Sequence, residues 1–144
     1  MRLTRRYRFC ASHRLHSAEL PADENARIYG KCNNPYGHGH NYAVEVSVRG
    51  PVHAGTGRVA DLRLLDDLVQ TQVIGAFDHQ NLNALPEFER LVPTSENLGL
   101  EIHRRLATQW DRVFPGGAPA LDCVRVEETE RNIFEIGPDQ KEKS

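Results

Sequence analysis

The stretch KCNNPYGHGHNY, residues 31–42, holds a cysteine, Cys32, and two histidines separated by one glycine, His38 and His40. The residues that follow, 41–48, alternate in polarity, which predicts a half-buried strand. Residues two apart on a strand share a face and lie roughly 6.5–7 Å apart. Both imidazoles can therefore reach one ion, and the spacing favours a metal site that needs a third ligand.

Length and composition fit one domain. The chain has 144 residues, of which 39% are hydrophobic and 26% charged, so we expect a single domain over residues 1–137 and a polar tail over residues 138–144. The net charge of -2 provides no broad basic field for nucleic acid, so any anion site must be local.

Neither a secretory signal nor a membrane-spanning segment is predicted. No apolar stretch follows Met1, and none approaches the length of about eighteen residues that a transmembrane helix requires. The three cysteines are an odd number and are widely scattered, which favours a reducing compartment. We expect a cytoplasmic protein.

A first strand is predicted over residues 2–13. Its alternation places His13 on the same face as Tyr7 and Phe9, whereas Cys10 faces the opposite side. The polar residues 16–29 then indicate a connecting loop with one short helical turn.

A second strand, over residues 38–49, is expected to return antiparallel to the first. This pairing brings His13 towards His38 and His40 on one face of the sheet. Three imidazoles leave a fourth position on zinc for water or substrate, which is the arrangement of a catalytic rather than a structural site.

Two helices are predicted in the second half of the chain. The first runs over residues 61–74 with Asp61 as its N-cap. The second begins within residues 93–97, where Thr94 and Ser95 can cap it, and continues to about residue 113.

Residues 77–83, between the two helices, indicate a polar loop that contains Asp78 and His79. On its own, this pair favours a capped turn with an exposed histidine. A role in proton transfer requires that Cys32 lies nearby, because a carboxylate, an imidazole and a thiol can then relay a proton.

Residues 121–136 predict two strands joined at residues 129–132. Glu128 continues the face of Val124 and Val126, which is unusual for a carboxylate. Two interpretations remain open: the side chain reaches solvent at the strand end, or it accepts paired donors from a cationic or amide-like ligand edge.

Five segments in this order closely resemble the 6-pyruvoyl-tetrahydropterin synthase / 6-carboxy-tetrahydropterin synthase family. They are FCASHRL at 9–15, GKCNNPYGHGHNY at 30–42, FDHQNLN at 77–83, PTSENL at 93–98 and EETERN at 127–132. The resemblance spans nearly the whole chain. It implies an α+β tunnelling fold (T-fold) of the type ββααββ, with a four-stranded antiparallel sheet and two helices on one face. It also implies that subunits form a barrel and that two trimers stack into a homohexamer.

The resemblance implies three groups of site residues. The zinc ligands are His13, His38 and His40. The catalytic residues are Cys32, Asp78 and His79, the last two supplied by a neighbouring subunit. The pterin contacts are Glu128, Thr94, Ser95 and Glu96. The triphosphate contacts are not located, although the available cations are Arg14, Arg27, Lys31 and Arg63.

The implied activity is that of a zinc-dependent lyase of tetrahydrobiopterin-type biosynthesis, which converts 7,8-dihydroneopterin triphosphate to 6-pyruvoyl-tetrahydropterin and eliminates triphosphate. One alternative is 6-carboxy-tetrahydropterin synthase of queuosine biosynthesis. Its members usually have three residues between the cysteine and the first histidine, where this chain has five, residues 33–37. A second alternative is a non-catalytic zinc- or pterin-binding module, which would not need a thiol base such as Cys32.

Overall fold

The computed structural model describes residues 1–138, so most of the predicted tail, residues 139–144, lies outside the described residues. The core of the fold is one sheet. Its strands are β1 (Arg2–His13), β2 (His38–Arg49), β3 (Gln80–Asn81), β4 (Ala120–Glu127) and β5 (Ile133–Ile136). They lie in the order β3-β1-β2-β4-β5. β1, β2, β4 and β5 are antiparallel neighbours, whereas β3 runs parallel to β1.

Four α-helical segments accompany the sheet. They are α1 (Ala22–Tyr29), α2 (Leu62–Val69), α3 (Gly75–Phe77) and α4 (Ser95–Val113). The helix predicted over residues 61–74 is therefore α2 followed by a π-helical turn, Gln70–Ile74. Asp61 caps α2 and Thr94 caps α4, because each side chain accepts a hydrogen bond from a backbone N–H in the first turn. Among residues 1–138, none of the helices is long and apolar enough to cross a membrane.

The core lies on one face of the sheet, beneath α2 and α4. Val44, Val46 and Val48 on β2 are fully buried there together with Leu65 and Ile102 from the helices. Burying side chains of this size stabilises a fold by roughly 1.5–3 kcal/mol each. The other face carries ion pairs, among them Arg6–Glu45 and Arg125–Glu45.

The prediction of a four-stranded, purely antiparallel sheet was wrong, because the loop at residues 77–83 contributes β3. The Asp78 carboxylate accepts a hydrogen bond from Cys10 N at 2.9 Å, and His79 N donates to the Cys10 carbonyl at 2.6 Å. Farther along, the Asn83 side chain bonds both the N–H and the carbonyl of Arg14, at 2.7 and 2.9 Å. A two-residue strand has no alternation to detect, so its pairing follows only from the tertiary structure.

The prediction of a loop with one short turn over residues 16–29 was also incomplete, because α1 runs for eight residues. Asn25, which is fully buried, holds this helix against the preceding chain. Its side chain accepts from Ser17 N at 2.7 Å and donates to the carbonyls of Ser17 and Leu20 at 2.9 and 3.1 Å. The hydrogen bonds of one buried amide thus hold α1 in place. Sequence patterns detect an apolar stripe along a helix, and they do not detect an anchor of this kind.

Sheet register positions the site. β1 ends at His13, which lies directly opposite His38, the first residue of β2. β4 ends at Glu127, opposite Ala43, so Glu128 emerges at the same end of the sheet.

Candidate metal and pterin site

Three imidazole nitrogens converge at this end of the sheet. The Nε2 atoms of His13 and His38 are 3.2 Å apart, those of His13 and His40 3.1 Å, and those of His38 and His40 3.0 Å. The convergence follows from the predicted strand parity and from the observed register, in which His13 and His38 are cross-strand partners.

His13 is held in one tautomer. Its Nδ1–H donates to the Pro93 carbonyl at 2.9 Å, so its Nε2 atom carries a lone pair that points into the cluster. The side chain is 1% exposed, and burial lowers the pKa of His13. Burial lowers the pKa of His40 as well. Both rings are therefore neutral near pH 7, as metal ligation requires.

The donor set fits a zinc ion. Zinc–nitrogen bonds of about 2.0–2.1 Å place tetrahedral ligand nitrogens about 3.3 Å apart, close to the observed separations. Three lone-pair-bearing nitrogens at such distances repel one another unless protons or a cation lie between them. The bond from His13 to Pro93 is of the kind that orients metal-bound histidines. We conclude that His13, Cys32, His38 and His40 form a cluster that can hold a metal.

Cys32 lies at the edge of the cluster. Its Sγ atom and the histidine nitrogens all lie within 4.8 Å of one another. The residue belongs to the short helical turn Gly30–Asn33, which is fixed by a bond from Leu15 N to the Cys32 carbonyl at 2.7 Å. Burial, followed by the charge of Glu128, raises the pKa of Cys32.

The loop between Cys32 and His38 ends with a glycine, Gly37, directly before β2. Gly37 has a φ of +70°, and a Cβ atom there would lie 3.0 Å from the His13 carbonyl oxygen. Only glycine allows this backbone conformation together with such a close approach to β1. Gly37 therefore sets how near the start of β2 lies to His13.

Glu128 and Ser95 meet at the rim of the cluster. Ser95 Oγ donates a short hydrogen bond to Glu128 Oε2, and Glu128 Oε1 is 3.7 Å from His40 Nε2. Glu128 directly follows the last residue of β4, and its side chain is 12% exposed. The structure thus places the acid in a confined position, although it remains accessible from the cluster.

The other two predicted pterin contacts lie at the start of α4. Thr94 Oγ1 accepts a hydrogen bond from Asn97 N at 3.1 Å, so its hydroxyl oxygen caps the helix. Glu96 is exposed in the first turn. Only Ser95 of this segment contacts Glu128.

Asp78 and His79 lie beside Cys10 of β1, whose backbone both residues contact. His79 has a φ of +60°, a conformation that costs energy for a non-glycine residue, and its side chain is 81% exposed. Its Nε2 atom is 3.5 Å from Asp78 Oδ2. His79 lines a cavity of about 520 Å³ with Cys10, which has the strand parity opposite to His13. Within residues 1–138, no hydrogen bond or ion pair joins His79 to Cys32.

The candidate cations are distributed unevenly. Arg14 lies beside the Cys32 turn, where its Nε donates to the Asn33 carbonyl at 3.2 Å, and Lys31 is exposed next to Cys32. Arg27 pairs with Glu24 at 2.5 Å. Arg63 is the second residue of α2 and lines a cavity with Pro51 and Pro119 at the other end of the sheet, so within one chain it does not contribute to this site.

Two groups at the site were missed by sequence reasoning. The Pro93 carbonyl orients His13, but a backbone acceptor carries no side-chain signal. Tyr42 is 1% exposed, and its ring centroid is 5.6 Å from that of His40. Its even position on the strand, two residues after His40, is a signal that could have placed it beside the ligands.

The family model described as 6-pyruvoyl tetrahydropterin synthase matches residues 2–139. The chain belongs to this family. It is 43% identical over 132 residues to 6-pyruvoyl tetrahydrobiopterin synthase of Poecilia reticulata, covering 91% of this chain and 86% of that protein. Against the Homo sapiens protein of the same name it is 42% identical over 135 residues, with 91% and 87% covered.

Structural comparison agrees. The structure of Caenorhabditis elegans 6-pyruvoyl tetrahydropterin synthase superposes with a TM-score of 0.85 at 37% identity, covering 96% of each chain. A putative 6-carboxy-5,6,7,8-tetrahydropterin synthase of Archaeoglobus fulgidus is 43% identical over 91 residues, which is 63% of this chain and 72% of that protein. The fold of the 6-pyruvoyl tetrahydropterin synthase family is therefore present over nearly the whole described chain.

Proposed function

We propose that residues 1–137 form one zinc-dependent lyase domain, which converts 7,8-dihydroneopterin triphosphate to 6-pyruvoyl-tetrahydropterin and releases triphosphate. The observation that carries the proposal is the position of the Cys32 thiol, within 4.8 Å of three converging imidazoles. Relatives named 6-pyruvoyl tetrahydrobiopterin synthase, at 42–43% identity, support the same activity. The three free cysteines are consistent with a cytoplasmic enzyme.

Cys32 is the proposed base. The reaction removes carbon-bound protons from the substrate side chain, and two electrons from that side chain reduce the dihydropterin ring, so no nicotinamide is needed. A zinc ion held by His13, His38 and His40 would polarise side-chain oxygens and so acidify the neighbouring C–H groups. The Cys32 thiolate takes such a proton and later returns it.

Glu128 is the proposed anchor of the pterin ring. A carboxylate can accept two parallel hydrogen bonds from the amino group and ring N–H of a pterin. Ser95 fixes one Glu128 oxygen and thereby limits rotation of the carboxylate. This orientation decides which side-chain carbon faces Cys32, and Thr94 and Glu96 would border the same pocket.

We further propose that Asp78 and His79 serve the Cys32 of a neighbouring subunit in a homohexamer. Within one chain His79 is exposed, and the cavity that it lines with Cys10 and His40 does not include Cys32, which fits a contribution to another copy. In the described residues, β1 has a partner on its outer edge only at Ala11 and Ser12, and the outer edge of β5 has none. Such edges can pair between copies and close the sheets into a barrel.

The product decides between the two synthase activities. The shorter match to the putative 6-carboxy enzyme and the five-residue spacer before His38 favour the pyruvoyl product. The test is to incubate the zinc-loaded protein with 7,8-dihydroneopterin triphosphate, separate the pterins and measure metal content on the same sample. Release of acetaldehyde with a carboxylated pterin would replace the proposal by the 6-carboxy activity. Binding without turnover of any dihydropterin triphosphate would indicate a non-catalytic module.

A further inference from the structure

We propose that a cavity at the far end of the sheet is a second ligand site, which takes a small organic anion with an apolar body. The cavity has a volume of about 710 Å³, within the range of roughly 300–1,000 Å³ typical of small-molecule sites. It lies between the loop after β2, the start of α2 and Pro119, next to the start of β4.

The cavity is separate from the histidine cluster. β1 and β2 each contain twelve residues, so their two ends lie roughly 35 Å apart. The histidines occupy one end, whereas Gly50 and Pro119 approach each other at the opposite end. None of the residues that line the cavity belongs to the proposed pterin site.

The cavity lining is partly apolar. It includes Pro51, Val59, Ala60, Leu62 and Pro119. Ala60 and Pro119 are buried, whereas Pro51 is exposed, so part of this lining belongs to the folded core. Such a lining favours a ring or a branched alkyl group.

The cavity lining also carries positive charge. Arg58 and Arg63 both line the cavity, and in the described part of the chain neither guanidinium forms an ion pair with a carboxylate. The one acid in the lining, Asp61, already accepts hydrogen bonds from Arg63 N and Leu64 N at 2.9 and 3.4 Å. Two cations without a carboxylate partner thus share the lining with apolar residues, in a protein whose net charge is -2.

His53 adds a third donor. Its Nδ1 atom accepts from Gly55 N at 3.2 Å and from Thr56 N at 3.3 Å, so the ring proton is on Nε2. The loop is closed by a bond from His53 N to the Arg58 carbonyl at 2.9 Å. This closure holds His53 and Arg58 on the same cavity. Two guanidinium groups and an imidazole N–H beside apolar side chains match a carboxylate or phosphate attached to an apolar body.

Binding to the intact protein tests the proposal, with 2-naphthoate and 2-naphthyl phosphate as probes and 2-naphthalenemethanol as their uncharged counterpart. We expect calorimetry to show one site per chain, with the alcohol at least tenfold weaker than the tighter anion. The R58Q/R63Q variant should weaken anion binding at least tenfold without changing that of the alcohol. The charge-matched variant R90Q/R112Q, which alters two exposed arginines outside the cavity, should bind like wild type.

A further variant separates this site from the histidine cluster, where anions could bind a metal. The H38A/H40A protein should retain anion binding, and its loss there would overturn the proposal. Failure of both anions to bind wild type, or equal binding by wild type and R58Q/R63Q, would also overturn it. If only the phosphate binds, the ligand is a phosphorylated compound; if both bind, the site recognises anions in general. The product of the pterin reaction affects none of these outcomes.

Discussion

At the scale of single residues, the charge near Cys32 determines what the site can do. Burial and the Glu128 carboxylate both raise the pKa of the thiol, so neither of them produces a thiolate near pH 7. Positive neighbours lower the pKa of a thiol. A zinc ion held by the three histidines would provide such a charge, and the proposed His79 of a second subunit would accept the thiol proton. With both in place, the half-buried thiol would serve as a base.

Replacing Cys32 by alanine tests this role. We expect C32A to lower kcat by about 10²–10⁴, the usual contribution of a positioned acid–base group, while the substrate still binds. C10A is the matched control, because Cys10 is a thiol on the opposite strand face whose Sγ donates only to Asn41 Oδ1, at 2.9 Å. Steady-state kinetics and equilibrium binding of the substrate supply the two measurements. Equal loss of kcat in both variants would argue against Cys32 as the base.

At the scale of elements, the approach of β2 to β1 depends on Gly37. Alanine at this position would be strained at φ +70° and would also meet the His13 carbonyl at 3.0 Å. We expect G37A to weaken zinc binding about tenfold or more, because His13 and His38 would be forced apart. G57A is the control, since Gly57 has a φ of +71° and nothing within 4 Å of its added Cβ.

Both variants carry the same backbone strain, roughly 1–2 kcal/mol, so both should lose a similar amount of stability from that source. Only G37A adds the contact with β1. Metal titration monitored by a chromophoric zinc chelator compares the two affinities. If G57A lost as much zinc affinity as G37A, the close approach at His13 would not be the cause.

The strands and helices around the site differ in how well they could be predicted from the sequence. The alignment of His13 with His38 and His40 was predictable, because side-chain direction on a regular strand follows parity and the pairing here has no bulge near the site. β3 and α1 were not predicted in full. β3 depends on backbone bonds to Cys10 and on a positive φ at His79, and α1 depends on the buried Asn25. These features depend on tertiary contacts and local backbone conformation, which leave no periodic pattern in the sequence.

At the scale of the whole molecule, the histidine cluster links stability to pH and to metal. The pKa values of His13 and His40 are lowered by burial, so the unfolded chain takes up these protons more readily than the folded protein does. Above pH 6.5, roughly the pKa of histidine in the unfolded chain, the two histidines should be neutral in both states and should not reduce the stability of the metal-free protein. As the pH drops from there towards the lowered pKa of the folded state, the free energy of unfolding should decrease.

Zinc should stabilise the protein in the same pH window. At a free zinc concentration of about 100 times Kd, the gain is about 2.7 kcal/mol, which for a chain of this size raises Tm by about 5–10 °C. The increase at pH 7.5 should shrink at pH 5.5, because protonated imidazoles do not bind metal. Thermal unfolding with zinc or with a chelator at both pH values measures this effect. H38A should show little increase at either pH, and a full increase in H38A would place the metal elsewhere.

The proposed assembly requires two subunits for each active site, because each site would take Cys32 from one subunit and His79 from another. Within the described chain no hydrogen bond or ion pair joins these two residues, and His79 is exposed. C32A and H79A should then be defective separately and should complement each other when co-expressed as mixed assemblies. In a random one-to-one mixture, a site has Cys32 in half of cases and His79 in half of cases. About a quarter of wild-type activity should return when subunits associate at random. Activity that stays at the level of the separate variants, in assemblies shown by mass spectrometry to be mixed, would mean that both residues act within one chain.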